Sequence, residues 1–200
     1  MIVKTHLIIA FIGILIVTTG CPGSSYNKNL KDLQKNNMDF PNLRKEYYNG
    51  IHFMLGEMFV NDYEDNYTLN DNALTKVVYE LDVNFSTEVF NQSDAETMRY
   101  TFDTDIESLD AVHDNYIIQR QKSVYEYSTS IKKELPKSVP FKGSIQVVHG
   151  SSYSTNTPSS YFIATVEIDN TFYVFQLIGK KDNMGYLYDD FIDLLSSIEK

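Results

Sequence analysis

A single cysteine, Cys21, stands in a chain of 200 residues. No internal disulfide can form, so any fold must be held by buried apolar surface and hydrogen bonds. The cysteine also closes an apolar run. Residues 7–17 contain only Leu, Ile, Ala, Phe, Gly and Val, with Lys4 ahead and Thr18-Thr19-Gly20-Cys21 behind. This run is eleven residues long, whereas a membrane-spanning helix needs roughly 20. A basic start, a short apolar core and small residues before a cleavage point read as a signal peptide. Residues 1–20 are therefore set apart from the fold.

The boundary resembles the lipobox of bacterial lipoproteins, with Gly20 before the processed bond and Cys21 after it. That resemblance implies a palmitate-type lipoprotein carrying diacylglycerol and an N-acyl chain on Cys21. The modification would also cap a lone thiol that is otherwise a liability outside the cytoplasm. Each buried methylene contributes about 0.8 kcal/mol, so two or three acyl chains anchor a protein without a spanning helix. Residue 22 is Pro and not Asp. By resemblance to the sorting rule of enteric-type bacteria, this points to the outer membrane.

Without Lys4 the chain keeps 16 basic and 27 acidic residues, a net charge of −11. Such a surface repels phosphate backbones, which argues against nucleic-acid binding. Residues 21–40 are polar and rich in Asn and Lys, and read as a flexible tether. Residues 41–200 are enough for one domain, with fifteen Tyr and twelve Phe in the whole chain to supply a core.

Within the domain, residues 47–60 are apolar on both alternating faces and read as one interior strand, with Gly56 as a bulge. Residues 73–86 alternate cleanly and read as a long strand with one wet face. Met98, Tyr100 and Phe102 suggest a further short strand. Ile106, Leu109, Val112, Tyr116, Ile117, Val124, Tyr127, Ile131 and Leu135 recur at helical spacing. They predict a helix of about thirty residues, capped by Thr104 and Glu107, with Lys132 and Lys133 in its last turn and Pro136 as its stop. Three strands follow at 143–149, 160–168 and 171–178, the last two joined by an Asp169-Asn170 turn. Residues 151–160 read as a long loop. A final helix starts near Tyr186, with Leu187, Phe191, Leu194, Leu195 and Ile198 as its stripe.

This order predicts an α+β fold: an antiparallel sheet packed by a long central helix and a C-terminal helix, one on each face. The closing pattern is a hairpin into FYVFQLI, a polar loop, then the acidic-fronted YLYDDFIDLLSSI. It resembles the end of the Mog/PsbP superfamily, which includes DcrB-type bacterial lipoproteins. That resemblance implies a non-catalytic binding or adaptor protein.

The residues offer little catalytic chemistry of their own. His52, His113 and His149 show no zinc-site spacing. His149-Gly150-Ser151 is the one adjacency that leaves room for a hydrolase, and no Gly-x-Ser-x-Gly elbow occurs. Asp62, Glu64 and Asp65, or Asp103, Asp105 and Glu107, could gather calcium but lack the pattern of its binding loop. No cofactor is expected beyond the lipid on Cys21. Tyr63, Tyr67, Tyr153 and Tyr161 sit near loops and form the candidate partner surface, with core packing as the competing role. The expected function is therefore a lipid-anchored binding module for an envelope protein. The alternatives are a periplasmic immunity or inhibitor lipoprotein, and a hydrolase with an unrecognised site.

Overall fold

The computed structural model describes residues 43–61, 73–79, 81–91, 108–153, 156–185 and 187–200. The expected strand near Tyr100, the signal and the tether lie outside these residues. The chain first forms a hairpin of β1 (Leu43–Tyr48) and β2 (Ile51–Gly56). The main sheet then takes β3 (Val60–Asn61), β4 (Leu74–Val78) and β5 (Val83–Asn91). Helix α1 (Leu109–Lys122) follows, then β6 (Val124–Thr129) and β7 (Lys133–Glu134). Next come β8 (Lys142–Ser152), β9 (Pro158–Ile168) and β10 (Thr171–Lys180). Two helices close the chain, α2 (Lys181–Met184) and α3 (Leu187–Ser196). The main sheet is antiparallel in the order β3-β4-β5-β10-β9-β8-β6, with β7 also pairing β8.

Alternation along β9 and β10 explains the layers, because successive side chains point to opposite faces. Phe162, Ala164, Val166, Tyr173, Phe175 and Leu177 face the β1–β2 hairpin and α3. Tyr161, Ile163, Phe172, Val174 and Ile178 face α1. Both faces are covered, so both strands are apolar almost throughout. The α+β class holds, with helices on opposite faces of an antiparallel sheet.

Two predicted single strands are hairpins instead. Residues 47–60 fold back at Asn49 (φ 44°) and Gly50 (φ 88°), the left-handed pair that a two-residue hairpin turn requires. Gly56 ends β2 and is not a bulge. Residues 73–86 reverse between Val78 and Val83, helped by Asp82 at φ 52° and a Leu81 N–H to Val78 carbonyl bond. Alternation resumes after that turn, which is why the pattern reads as continuous. The Asp169-Asn170 turn stands, with φ of 50° and 60°. The flanking strands eat into the expected 151–160 loop, since β8 runs to Ser152 and β9 starts at Pro158.

The long helix is the largest correction. It ends at Lys122, where the Ser123 N–H bonds the Gln119 and Arg120 carbonyls. β-Branched and aromatic residues then favour strand β6. Val124 and Tyr127 thus belong to a strand, and their helical spacing is a coincidence of strand alternation with a bulge between Tyr125 and Ser128. The start is capped by Ser108, whose hydroxyl accepts from the Ala111 N–H. Thr104 and Glu107 lie outside the described residues. Lys132 does meet the helix, but near its beginning, at Asp114 (2.8 Å) and Asp110 (3.2 Å). The C-terminal helix matches its expected stripe at Leu187, Phe191, Leu194 and Leu195. Ile198 is buried in the tail beyond it, and the next residue, Glu199, exchanges two backbone bonds with His52.

Candidate functional site

An apolar pocket lies where the end of the β1–β2 hairpin meets α3. A pocket of about 240 Å³ is lined by Leu43, Met54, Leu55, Gly56 and Phe59 on one side. Phe191, Leu194, Ser197 and two carboxylates, Asp190 and Asp193, face them, with Leu177 of β10 also in the lining. Local geometry explains this wall. Positions 190 and 193 share one edge of α3 beside its buried stripe, and Ser197, just past the helix end, continues that edge because its N–H still bonds the Asp193 carbonyl. The Met54 N–H donates to the Ser197 hydroxyl (2.8 Å), which itself donates to the Leu194 carbonyl (2.6 Å), so the two walls are clipped together. Leu43 stands at the rim, 54% exposed. A pocket with an apolar lining and a few convergent polar groups is the usual form of a recognition site.

No residue of this pocket was expected from the sequence. The one available signal was the Asp190/Asp193/Ser197 spacing, and it becomes a wall only once the hairpin has folded against it.

The expected tyrosine surface divides. Tyr63 and Tyr67 lie outside the described residues. Tyr153 is 66% exposed and its ring sits 5.4 Å from that of Tyr125. Tyr161 is a correction: it is 5% exposed, because its place on β9 points it at α1, where Arg120 lies over its ring at 5.8 Å. It cannot meet a partner from there.

The histidines are placed as follows. His52 is half-buried in β2, its ring 5.0 Å from Tyr47. The His149 Nδ1 lies 2.6 Å from the Ser160 hydroxyl, a contact that resembles part of a hydrolase triad. Ser160 is fully buried, however, and burial and then Lys181 lower the His149 pKa. Among the described residues no carboxylate acts on His149, so they supply the pair with no orienting acid. Ser151 instead sits in the β8–β9 pairing, opposite Pro158. Among the described residues no group of three His, Cys, Asp or Glu is placed to hold a metal. Both acidic clusters considered for calcium lie outside those residues.

A layer of polar side chains is buried between α1 and the sheet. The Tyr116 hydroxyl donates to Glu88 (2.5 Å), Gln176 donates to the other Glu88 oxygen (3.3 Å), and Arg120 donates to Gln176 (2.7 Å). Nearby, His113 contacts the Thr165 hydroxyl through Nδ1 (3.0 Å) and the Gln146 side-chain Oε1 through Nε2 (3.2 Å). That acceptor requires Nε2 to carry the proton, and Nδ1 then accepts from Thr165. The layer ties α1 to β5, β8, β9 and β10. Its hydrogen bonds satisfy polar atoms that this packing buries.

This layer carries a pH prediction. Burial first, and Lys132 second, push the His113 pKa down from 6.5 to about 4, against the Gln146 bond and Asp114 and Asp110. The unfolded chain therefore binds a proton between those pH values that the folded chain refuses. Stability should be complete above about pH 6.5 and fall by about 3 kcal/mol as pH drops toward 4. An NMR titration of the folded protein tests this. An imidazole that protonates near pH 6.5 in the native state would remove the effect.

No family model matches the sequence, and no curated protein sequence aligns with it significantly. Solved structures do resemble the fold. The Saccharomyces cerevisiae Ran-binding protein Mog1p superposes with a TM-score of 0.51 at 8% identity, covering 79% of this chain and 95% of its own. Cyanobacterial PsbP from Synechocystis sp. PCC 6803 superposes with a TM-score of 0.52 at 12% identity, covering 78% and 91%. Identities this low speak to architecture alone. With its antiparallel sheet between a hairpin-and-helix layer and a second helix, the chain has the Mog1/PsbP-like fold.

Proposed function

We infer that this chain is a lipid-anchored, non-catalytic binding module of a bacterial envelope, most consistent with the outer membrane. In this reading, signal cleavage after Gly20 leaves Cys21 carrying diacylglycerol and an N-acyl chain. Residues 21–40 then act as a tether that lifts the domain at 41–200 off the bilayer. Two or three acyl chains suffice for stable attachment. Among the described residues no helix is long and apolar enough to cross a membrane.

The observation that carries the binding reading is the pocket between the hairpin and α3, with Leu43 exposed at its rim. Interfaces are anchored by a few apolar side chains seated in such pockets. The fold likeness supports the same reading, since Mog1p is described as a Ran-binding protein. The partner here is taken to be a protein of the envelope.

Two measurements test the proposal. Labelled palmitate should enter the wild-type protein and not Cys21→Ser; incorporation into the variant would refute the anchor. A photo-crosslinking residue at Leu43 should trap a discrete partner in living cells, while one at Tyr153 should not. Crosslinks at Tyr153 alone would move recognition to the Tyr125–Tyr153 surface.

A further inference from the structure

The pocket is chemically one-sided. Its floor is apolar, formed by Leu55, Phe59, Leu177, Phe191 and Leu194. Among the described lining residues the ionisable groups are Asp190 and Asp193, and none is basic. Two cations of β1 are engaged with other groups: Arg44 bonds Glu46 (2.7 Å) and the Phe59 carbonyl (3.0 Å), and Lys45 bonds Glu199 (2.6 Å). Asp193 is exposed and makes no ion pair among the described residues. An apolar floor beside these carboxylates strengthens their attraction for a cation, because the local dielectric is lower than that of water. The whole chain, at −10, adds repulsion toward any acidic partner.

The geometry points to a specific occupant: a leucine, methionine or phenylalanine side chain of a protein partner, flanked within two residues by lysine or arginine. The apolar side chain fills the pocket, and the flanking cation meets Asp193 at its edge. This deepens the binding reading above and rests on the pocket being the recognition site. An anionic lipid headgroup carries the wrong charge for this wall, so the occupant is a basic peptide segment and not the bilayer surface.

Three fluorescent peptides test it, with the sequences Gly-Lys-Leu-Phe-Lys-Gly, Gly-Ser-Leu-Phe-Ser-Gly and Gly-Glu-Leu-Phe-Glu-Gly. Binding to the full acylated protein in non-ionic detergent is read by fluorescence anisotropy. The lysine peptide should bind at least about tenfold tighter than the glutamate peptide at low salt, and the gap should shrink as salt screens it. Asp193→Asn, an exposed change, should narrow that gap while leaving the serine peptide unaffected. Equal binding of all three peptides would overturn the charge preference and leave the pocket as a binding site. Loss of all binding, alongside a persistent Leu43 crosslink in cells, would overturn the peptide occupant alone. Failure of both would remove the pocket reading itself.

Discussion

Phe175→Ala should lower the free energy of unfolding by about 3–5 kcal/mol, one of the two largest losses expected from a single substitution here. Phe175 sits on β10, the strand at the centre of the main sheet, and is fully buried. Its ring meets Phe53 of the hairpin edge-on at 5.8 Å and Phe85 of β5 at 6.4 Å. Phe53 and Phe85 in turn lie 5.6 Å apart. Truncation therefore opens a cavity among three rings from three strands, and none can close it without moving its own strand. Aromatic pairs also contribute about 0.5–1.5 kcal/mol beyond their area. Phe53→Ala combined with Phe175→Ala should consequently cost less than the two single losses added together. Urea denaturation measures both effects. A loss for Phe175→Ala below about 1.5 kcal/mol would contradict the packing described.

Glu88→Leu should cost a similar amount, about 3–5 kcal/mol, for a different reason. Glu88 is fully buried and accepts from Tyr116 and Gln176, while Gln176 accepts from Arg120. Burial, with Glu88 beside it, pushes the Tyr116 pKa well up, so the phenol stays protonated and donates. Burial also pulls the Arg120 pKa down, which shows the strain of holding a cation there; Tyr116 and Glu88 oppose that pull. Removing the carboxylate leaves the guanidinium buried without that counter-charge. The double variant Glu88→Leu with Arg120→Met should recover much of the loss, because well-packed apolar groups can replace a buried ionic network at little cost. If the double variant is no more stable than Glu88→Leu alone, the two residues are not coupled as the hydrogen bonds indicate.

Much of the fold was legible in the sequence where a short apolar run is bounded by turn residues or a helical stripe is clean. The 171–178 strand, its Asp169-Asn170 turn and the closing helix stripe follow from a run apolar on both faces, from residues that tolerate left-handed φ, and from helical spacing. The long helix was misread because Val124, Tyr127 and Ile131 keep a helical interval while lying on and beyond an edge strand. Period alone cannot separate those cases over so few residues. The buried face of α1 also carries His113 and Arg120, which look like surface residues until the sheet supplies their partners. Tyr161 misled in the opposite sense: its neighbours in sequence are Ser-rich, yet the ring points into the α1 layer.

The sequence by itself determined the lone cysteine, the absence of any internal disulfide, the acidic charge, and an antiparallel α+β pattern ending in an acidic-fronted helix. These are properties of composition and of local spacing, and they survive any arrangement of the elements. Only the tertiary structure decided the pocket. Leu43 and Asp193 are 150 positions apart, and no local pattern relates them. They line one pocket because the hairpin closes over the face of β10 and α3 returns along it, with the Met54 N–H and the Ser197 hydroxyl joining the two. A binding surface built from distant segments is set by long-range packing, which the spacing of neighbouring residues does not encode.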